Sequence, residues 1–416
     1  MIEVSRRQLA DEIAHWRFAA DALADLDTIA SEASWAQVEE YLRMRIRDRL
    51  AAAVARLTLE AASAARMLAD GSDLNAVRER VLLLRSHYLQ VETVLDFYGD
   101  AVASRTNPAL AGVLRGLDVI AGDSLDVILS RVGITTPPAM VYLDKGLGAS
   151  ILRAEVRLWD QNSLSPVAAI KLTRHNLSHP TALLHETGHQ VAHLTGWNGE
   201  LADALAEVLA PRSRELAETW RGWAGEIAAD VHAFAQAGWA PLPALANVVD
   251  GTTSAVYRLL PDDPHPISWL RVMLNAALCR SWFGAGPWDG LAAAWADRHP
   301  TTAAPAESRA LAELSLAALG DIVDTCTRRP MAAFGGRPLH ALVDPMLVSP
   351  AALEATARRA GGSLLTSQYL ARRAPLPILT WLSVQPMLDP TNANAHRLAL
   401  QGWLARLSPE PSARVA

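Results

Sequence analysis

Residues 178–197 read SHPTALLHETGHQVAHLTGW, and the rest of the chain is organised around this stretch. Leu183, Leu184, Val191 and Ala192 recur at helical spacing, and no proline interrupts the run after Pro180. On a helix, His185 and His189 project from one face about one turn apart. The pattern just upstream is different. Ala139–Leu143, 150–159 and 166–172 are short runs rich in Val, Ile and Leu, separated by Gly, Asp, Asn and Ser. They read as three strands, with Lys145-Gly146-Leu147-Gly148 as one connection. From Thr181 onward the helical pattern returns and continues to the end, with proline-rich interruptions at 261–266 and 337–350. The expected fold is therefore mainly α (α+β), with a small sheet packed on the helix that carries His185 and His189.

Further out, the N-terminal side contains no proline before Pro108. Leu9, Ile13, Trp16, Leu23 and Leu26 form one apolar stripe, Val38, Leu42 and Ile46 the next, and Leu74, Val77, Val81, Leu84, Tyr88, Val91 and Leu95 a third. Asp70-Gly71-Ser72-Asp73 is a break, and Asp73 is placed to cap the following helix. Asn107-Pro108 is a second break, before a shorter helix through Leu129. Residues 1–132 read as an antiparallel helical bundle. It either packs against the rest or serves as an arm for a protein partner or self-association, since the stripes look alike in these roles. A middle region, 133–300, and a helical C-terminal region, 301–416, complete the division. The tail after Ser408 is expected to fray.

Composition excludes several classes. With 50% hydrophobic and 20% charged residues the chain is too apolar to be disordered. A net charge of −6 gives no general reason to bind nucleic acid or an acidic membrane surface. No apolar run is long enough for a membrane span, and Asp11 and Glu12 stand where a signal peptide needs an apolar segment. The two cysteines, Cys279 and Cys326, read as buried free thiols. A cytoplasmic location is expected. Lys145 and Lys171 are the only lysines; with abundant alanine, this reads as the base composition of a GC-rich bacterial genome.

His185-Glu186-Thr187-Gly188-His189 is an HExxH pattern. Two histidines one helical turn apart can hold one zinc ion, and the glutamate beside the first can take a proton from a zinc-activated water. The third ligand must come from elsewhere. His193 extends the series along the same helix but cannot close a tetrahedron around an ion held by the first two; it reads as a core histidine or a partner to the ligands. Ala192 and Thr195 stand where a metzincin needs Gly and His, and Ala255 stands where an aspzincin needs Asp. Among the downstream glutamates, Glu226 sits with Asp230 on one face of an otherwise apolar helix. One carboxylate can then bind metal while the other accepts the free ring N–H of a ligating histidine. Glu207 and Glu200 are the fallbacks.

The pattern His185-Glu186-x-x-His189 followed by Glu226-x-x-x-Asp230 resembles the gluzincin metallopeptidases, over about residues 135–275. The resemblance implies a zinc-dependent hydrolase acting on a peptide or protein substrate, with His185, His189 and Glu226 as ligands and Glu186 as general base. It also implies that an edge strand of the sheet pairs with extended substrate, for which 166–172 is the nearest candidate. Thermolysin-like members stabilise the oxyanion with a His or Tyr beyond the third ligand. Here His265, in the stiff segment Pro261-Asp262-Asp263-Pro264-His265-Pro266, is favoured, with Tyr257, His232 and Arg271 as competitors. Two other functions stay open: a catalytically silent scaffold acting through residues 1–132, and a zinc hydrolase of a non-peptide amide. Eight tryptophans between Trp197 and Trp295 read as core filling or as an aromatic wall for substrate.

Overall fold

A computed structural model describes residues 2–160 and 162–408, so the tail beyond Ser408 lies outside the described residues. The N-terminal helices are α1 (Ile2–Ala22), the short α2 (Glu32–Trp35), α3 (Glu40–Ala69), α4 (Leu74–Ala103) and α5 (Pro108–Leu129). The breaks fall where the sequence placed them. The Asp73 carboxylate accepts from the Asn75 and Ala76 N–H groups, and Asn107 caps α5 with Pro108 in the first turn. Leu42, Ile46, Leu50, Ala53, Leu57 and Ala61 make the buried stripe of α3, which packs between α1 and α4.

Three strands follow: β1 (Ala139–Leu143), β2 (Ser150–Leu152) and β3 (Ala168–Leu172). The sheet order is β1-β3-β2, with β1 parallel and β2 antiparallel to β3. Side chains alternate between two cores. Val141, Ala168, Ile170 and Leu172 face the large helical core, while Met140, Tyr142 and Ala169 face the N-terminal helices. A buried ion pair ties β1 to α5: Arg105 reaches Asp118 and the Val141 carbonyl, and Asp118 accepts from the Val141 N–H at 2.7 Å.

Two strand expectations need correction. Strand β2 ends at Leu152 instead of running to 159. The Ala154 N–H turns away to Gln190 at 2.8 Å, and Glu155 adopts φ 64°, which starts a separate turn-rich hairpin closed by the Arg157–Leu164 bridge. The run 166–172 is not an edge: β3 is paired on both sides, β1 and β2 are the edge strands, and of these β2 lines the cavity described below.

Beyond the sheet come α6 (Ala182–Thr195), α7 (Trp197–Leu209), α8 (Arg214–Ala237), α9 (Pro241–Val249), α10 (Thr253–Val256) and α11 (Ser268–Phe283). The C-terminal helices are α12 (Pro287–Arg298), α13 (Ala306–Thr327), α14 (Leu339–Leu342), α15 (Pro350–Ala360), α16 (Gln368–Arg373), α17 (Pro375–Leu388) and α18 (Ala393–Leu407). The fold is mainly α with one small sheet. One apolar cluster runs from Val113 to Leu407, so the core crosses both 132 and 300. Helix α5 lies against α18 so closely that a Cβ at Gly116 would collide with the Leu404 backbone. Seven of the eight clustered tryptophans are buried, each contributing roughly 1.5–3 kcal/mol of burial energy or more. None lines the cavity described next; they are core. Both cysteines are buried free thiols, and among the described residues no helix is long and apolar enough to cross a membrane.

Candidate metal centre

Helix α6 starts soon after β3 and ends at Gly196, whose φ of 75° is a left-handed conformation suited to glycine. Gly188 lets the next element come close. A Cβ there would stand 2.8 Å from the Ala229 Cα and 3.0 Å from the His232 Cβ, so α6 and α8 pack almost backbone to backbone. The contact aims the polar face of α8 at the two histidines.

Three ligand atoms converge there. His185 Nε2 and His189 Nε2 are 3.1 Å apart. Glu226 Oε1 lies 3.2 Å from His189 Nε2, and Oε2 lies 3.4 Å from His185 Nε2. Donors bound at about 2.0–2.1 Å in a tetrahedron stand about 3.3 Å from one another, which follows from the metal–nitrogen and metal–oxygen bond lengths. The spacing therefore suits one small divalent ion, and two imidazoles with one carboxylate leave a fourth position open. These three residues can hold a metal.

The surroundings hold the ligands in place. Asp230 Oδ1 stands 2.8 Å from His185 Nδ1 as an ion-pair contact, and Nδ1 has no in-line hydrogen-bond partner. Arg271, on α11, grips Asp230 through Nε and Nη2 and comes within 3.5 Å of Glu226 Oε2. Burial alone would raise the proton affinity of both carboxylates. For Glu226 the contacts with His185 and His189 outweigh it and hold the carboxyl far below the usual range. For Asp230 the charge of Arg271 and the His185 contact do the same, to about 2. Burial opposes a charge on His185, yet Asp230 and Glu226 more than offset it and raise that imidazole to about 10. The carboxylates thus create a potential that calls for a cation between the histidines, which a metal ion satisfies.

A cavity of about 490 Å³ opens onto the centre. Glu186 lines it and is 6% exposed. Burial raises its proton affinity, against the pull of the two histidines. His265 also lines it, with Nε2 3.7 Å from Glu226 Oε1 and Nδ1 2.7 Å from Asp263 Oδ1. Asp263 gained no role from the sequence, although it sits two residues before His265; it also accepts the His265 backbone N–H at 3.0 Å.

Other candidates lie elsewhere. Glu200 accepts from the Ala332 and Ala333 N–H groups, and Glu207 pairs with Arg329. His193 is exposed at the end of α6, so it is neither a core histidine nor a partner to the ligands. Tyr257 is buried and donates to the His299 carbonyl. His232 is buried behind α6 in a network with Ser124, Thr187 and Gln236. Burial and the neighbouring His185 and His189 push it down to about 3. Nothing in the sequence pattern marks that network. Of the alternatives to His265, only Arg271 faces the cavity.

No protein-family model matches the chain, and no curated protein or solved structure does.

Proposed function

We propose that this chain is a zinc-dependent peptidase of the gluzincin kind. The observation that carries the reading is the triangle of His185 Nε2, His189 Nε2 and a Glu226 carboxylate, spaced at 3.1–3.4 Å. When bound, zinc supplies Lewis acidity and makes a water nucleophilic at neutral pH. The donor set, two imidazoles and one carboxylate with an open position, is the kind that zinc hydrolases use.

The chain's own residues take the remaining roles. Glu186 stands beside the first ligand in the same cavity. Its burial strengthens it as a base, so it accepts the proton of the attacking water and returns it to the leaving amine. Asp263 holds His265 Nδ1. Nε2 therefore faces the cavity, where this imidazole is placed to meet the oxygen charge that develops on the carbonyl. The free edge of β2 runs along the cavity through Ser150 and Ile151, and an extended peptide can add there as a further strand. On this reading the substrate backbone pairs with β2 and not with β3.

The test is Glu186→Gln, assayed on a mixed peptide pool with zinc measured in parallel. Retained zinc with cleavage lost by about 10²-fold or more is expected for removal of a general base. Cleavage by a zinc-loaded Glu186→Gln chain at the wild-type rate would refute the mechanism.

A further inference from the structure

Apart from Glu186, the charged groups lining the cavity are engaged, with one exception. Glu226 and Asp230 meet the two histidines and Arg271, and His265 is held by Asp263. Arg153 lines the same cavity and makes no hydrogen bond or ion pair among the described residues. The acidic residues that follow it in sequence are taken by others: Glu155 faces Arg45 at 3.5 Å, and Asp160 holds Arg56 at 2.9 Å.

The fold fixes where Arg153 stands. It is the residue after β2, two beyond Ile151, which pairs with Ile170 of the helical core. Its side chain lines the cavity beside Ser150 and Ile151. The next N–H, Ala154, is bound to Gln190, the residue after His189. Arg153 therefore sits at the His189 end of the cavity, half-buried. Pro241, Ala244, Leu245 and Val248 of α9 give the cavity an apolar lining. Partial exclusion of water strengthens any ion pair formed there, and a guanidinium matches a carboxylate with two parallel hydrogen bonds. A peptide laid along the free edge of β2 passes both the metal ligands and this cation.

Resting on the peptidase reading above, we infer that Arg153 is a specificity-determining residue. It selects substrates that carry a carboxylate at the His189 end of the cleft, from an acidic side chain or from the free end of the chain. The protein keeps an unneutralised cation in its cleft although its net charge is −6, and a substrate carboxylate supplies the missing partner.

Three short peptide hydroxamates of equal length test this on the zinc-loaded full chain by titration calorimetry. One is neutral with an amide end, one has a free C-terminal carboxylate, and one has a glutamate side chain with an amide end. At least one carboxylate probe should bind wild type about tenfold tighter than the neutral probe, the scale of a charge-assisted hydrogen bond. Whichever probe gains identifies the source of the carboxylate. The ratio should collapse to about one in Arg153→Ala and in Arg153→Gln, and should invert in Arg153→Glu, as loss and reversal of the charge require. The neutral probe reports in each variant that the site is folded. A wild-type ratio near one, or a ratio that survives in Arg153→Ala, overturns the inference while hydroxamate binding still supports the metal site. Failure of every probe to bind wild type overturns both.

Discussion

The guanidinium of Arg271 holds the Asp230 carboxylate with two parallel hydrogen bonds, 2.9 Å from Nε to Oδ2 and 2.7 Å from Nη2 to Oδ1. The same Oδ1 stands 2.8 Å from His185 Nδ1. Helix α11 thus reaches the candidate metal ligand His185 on α6 through one carboxylate of α8. Arg271→Lys keeps the charge but loses the fork, and zinc affinity should fall by about 10–100-fold, as when a partner of a ligand is removed. Arg271→Leu takes the guanidinium from the buried Asp230 carboxylate and should also cost about 3–5 kcal/mol of stability. Zinc competition titrations and urea unfolding read the two effects. Wild-type zinc affinity in both variants would contradict this coupling.

Much of this site was legible in the sequence, because local helical spacing decides it. His185 and His189, and then Glu226 and Asp230, lie four residues apart on α6 and α8, and that spacing fixes their faces before any tertiary contact is known. What stayed hidden depends on long-range pairing. The order β1-β3-β2 makes β3 central, although its sequence resembles that of an edge strand as closely as β2 does. Strand β2 stops after Leu152 because Ala154 bonds to Gln190, a residue 36 positions away. Arg271 stood in the sequence as a candidate for the oxyanion; the fold spends its fork on Asp230, 41 positions upstream. His193 continued the helical series but falls beyond the reach of α8, at an exposed end.

Gly188 has a testable role of its own. A methyl group there would meet Ala229 Cα at 2.8 Å, so Gly188→Ala must push α6 from α8 and carry the histidines away from Glu226. The overpacking should cost about 1–3 kcal/mol, with a loss of zinc affinity that an ordinary helical Gly→Ala change would not give. Gly199, with open space around it, is the control: Gly199→Ala should leave zinc affinity where it is.

Asp123, on α5, gives a pH dependence whose causes do not include the candidate metal ligands. Burial, and then the charge of Asp126, raise its carboxyl from 3.8 to about 6. A raised folded-state value favours the protonated form. The associated stability is full below 3.8 and is lost as pH rises through about 6. Asp123→Asn removes this loss. Its melting temperature should match wild type at low pH and exceed it above neutrality, as thermal scans across the pH range will show. Parallel curves at all pH values would contradict the assignment.

The central claim is a zinc centre closed by Glu226, and elemental mass spectrometry on wild type beside Glu226→Ala tests it most directly. Wild type should hold about one zinc per chain and the variant far less, since two imidazoles alone make an incomplete catalytic site. Wild-type protein prepared without chelator that holds no zinc, and takes up none when zinc is added, would contradict it.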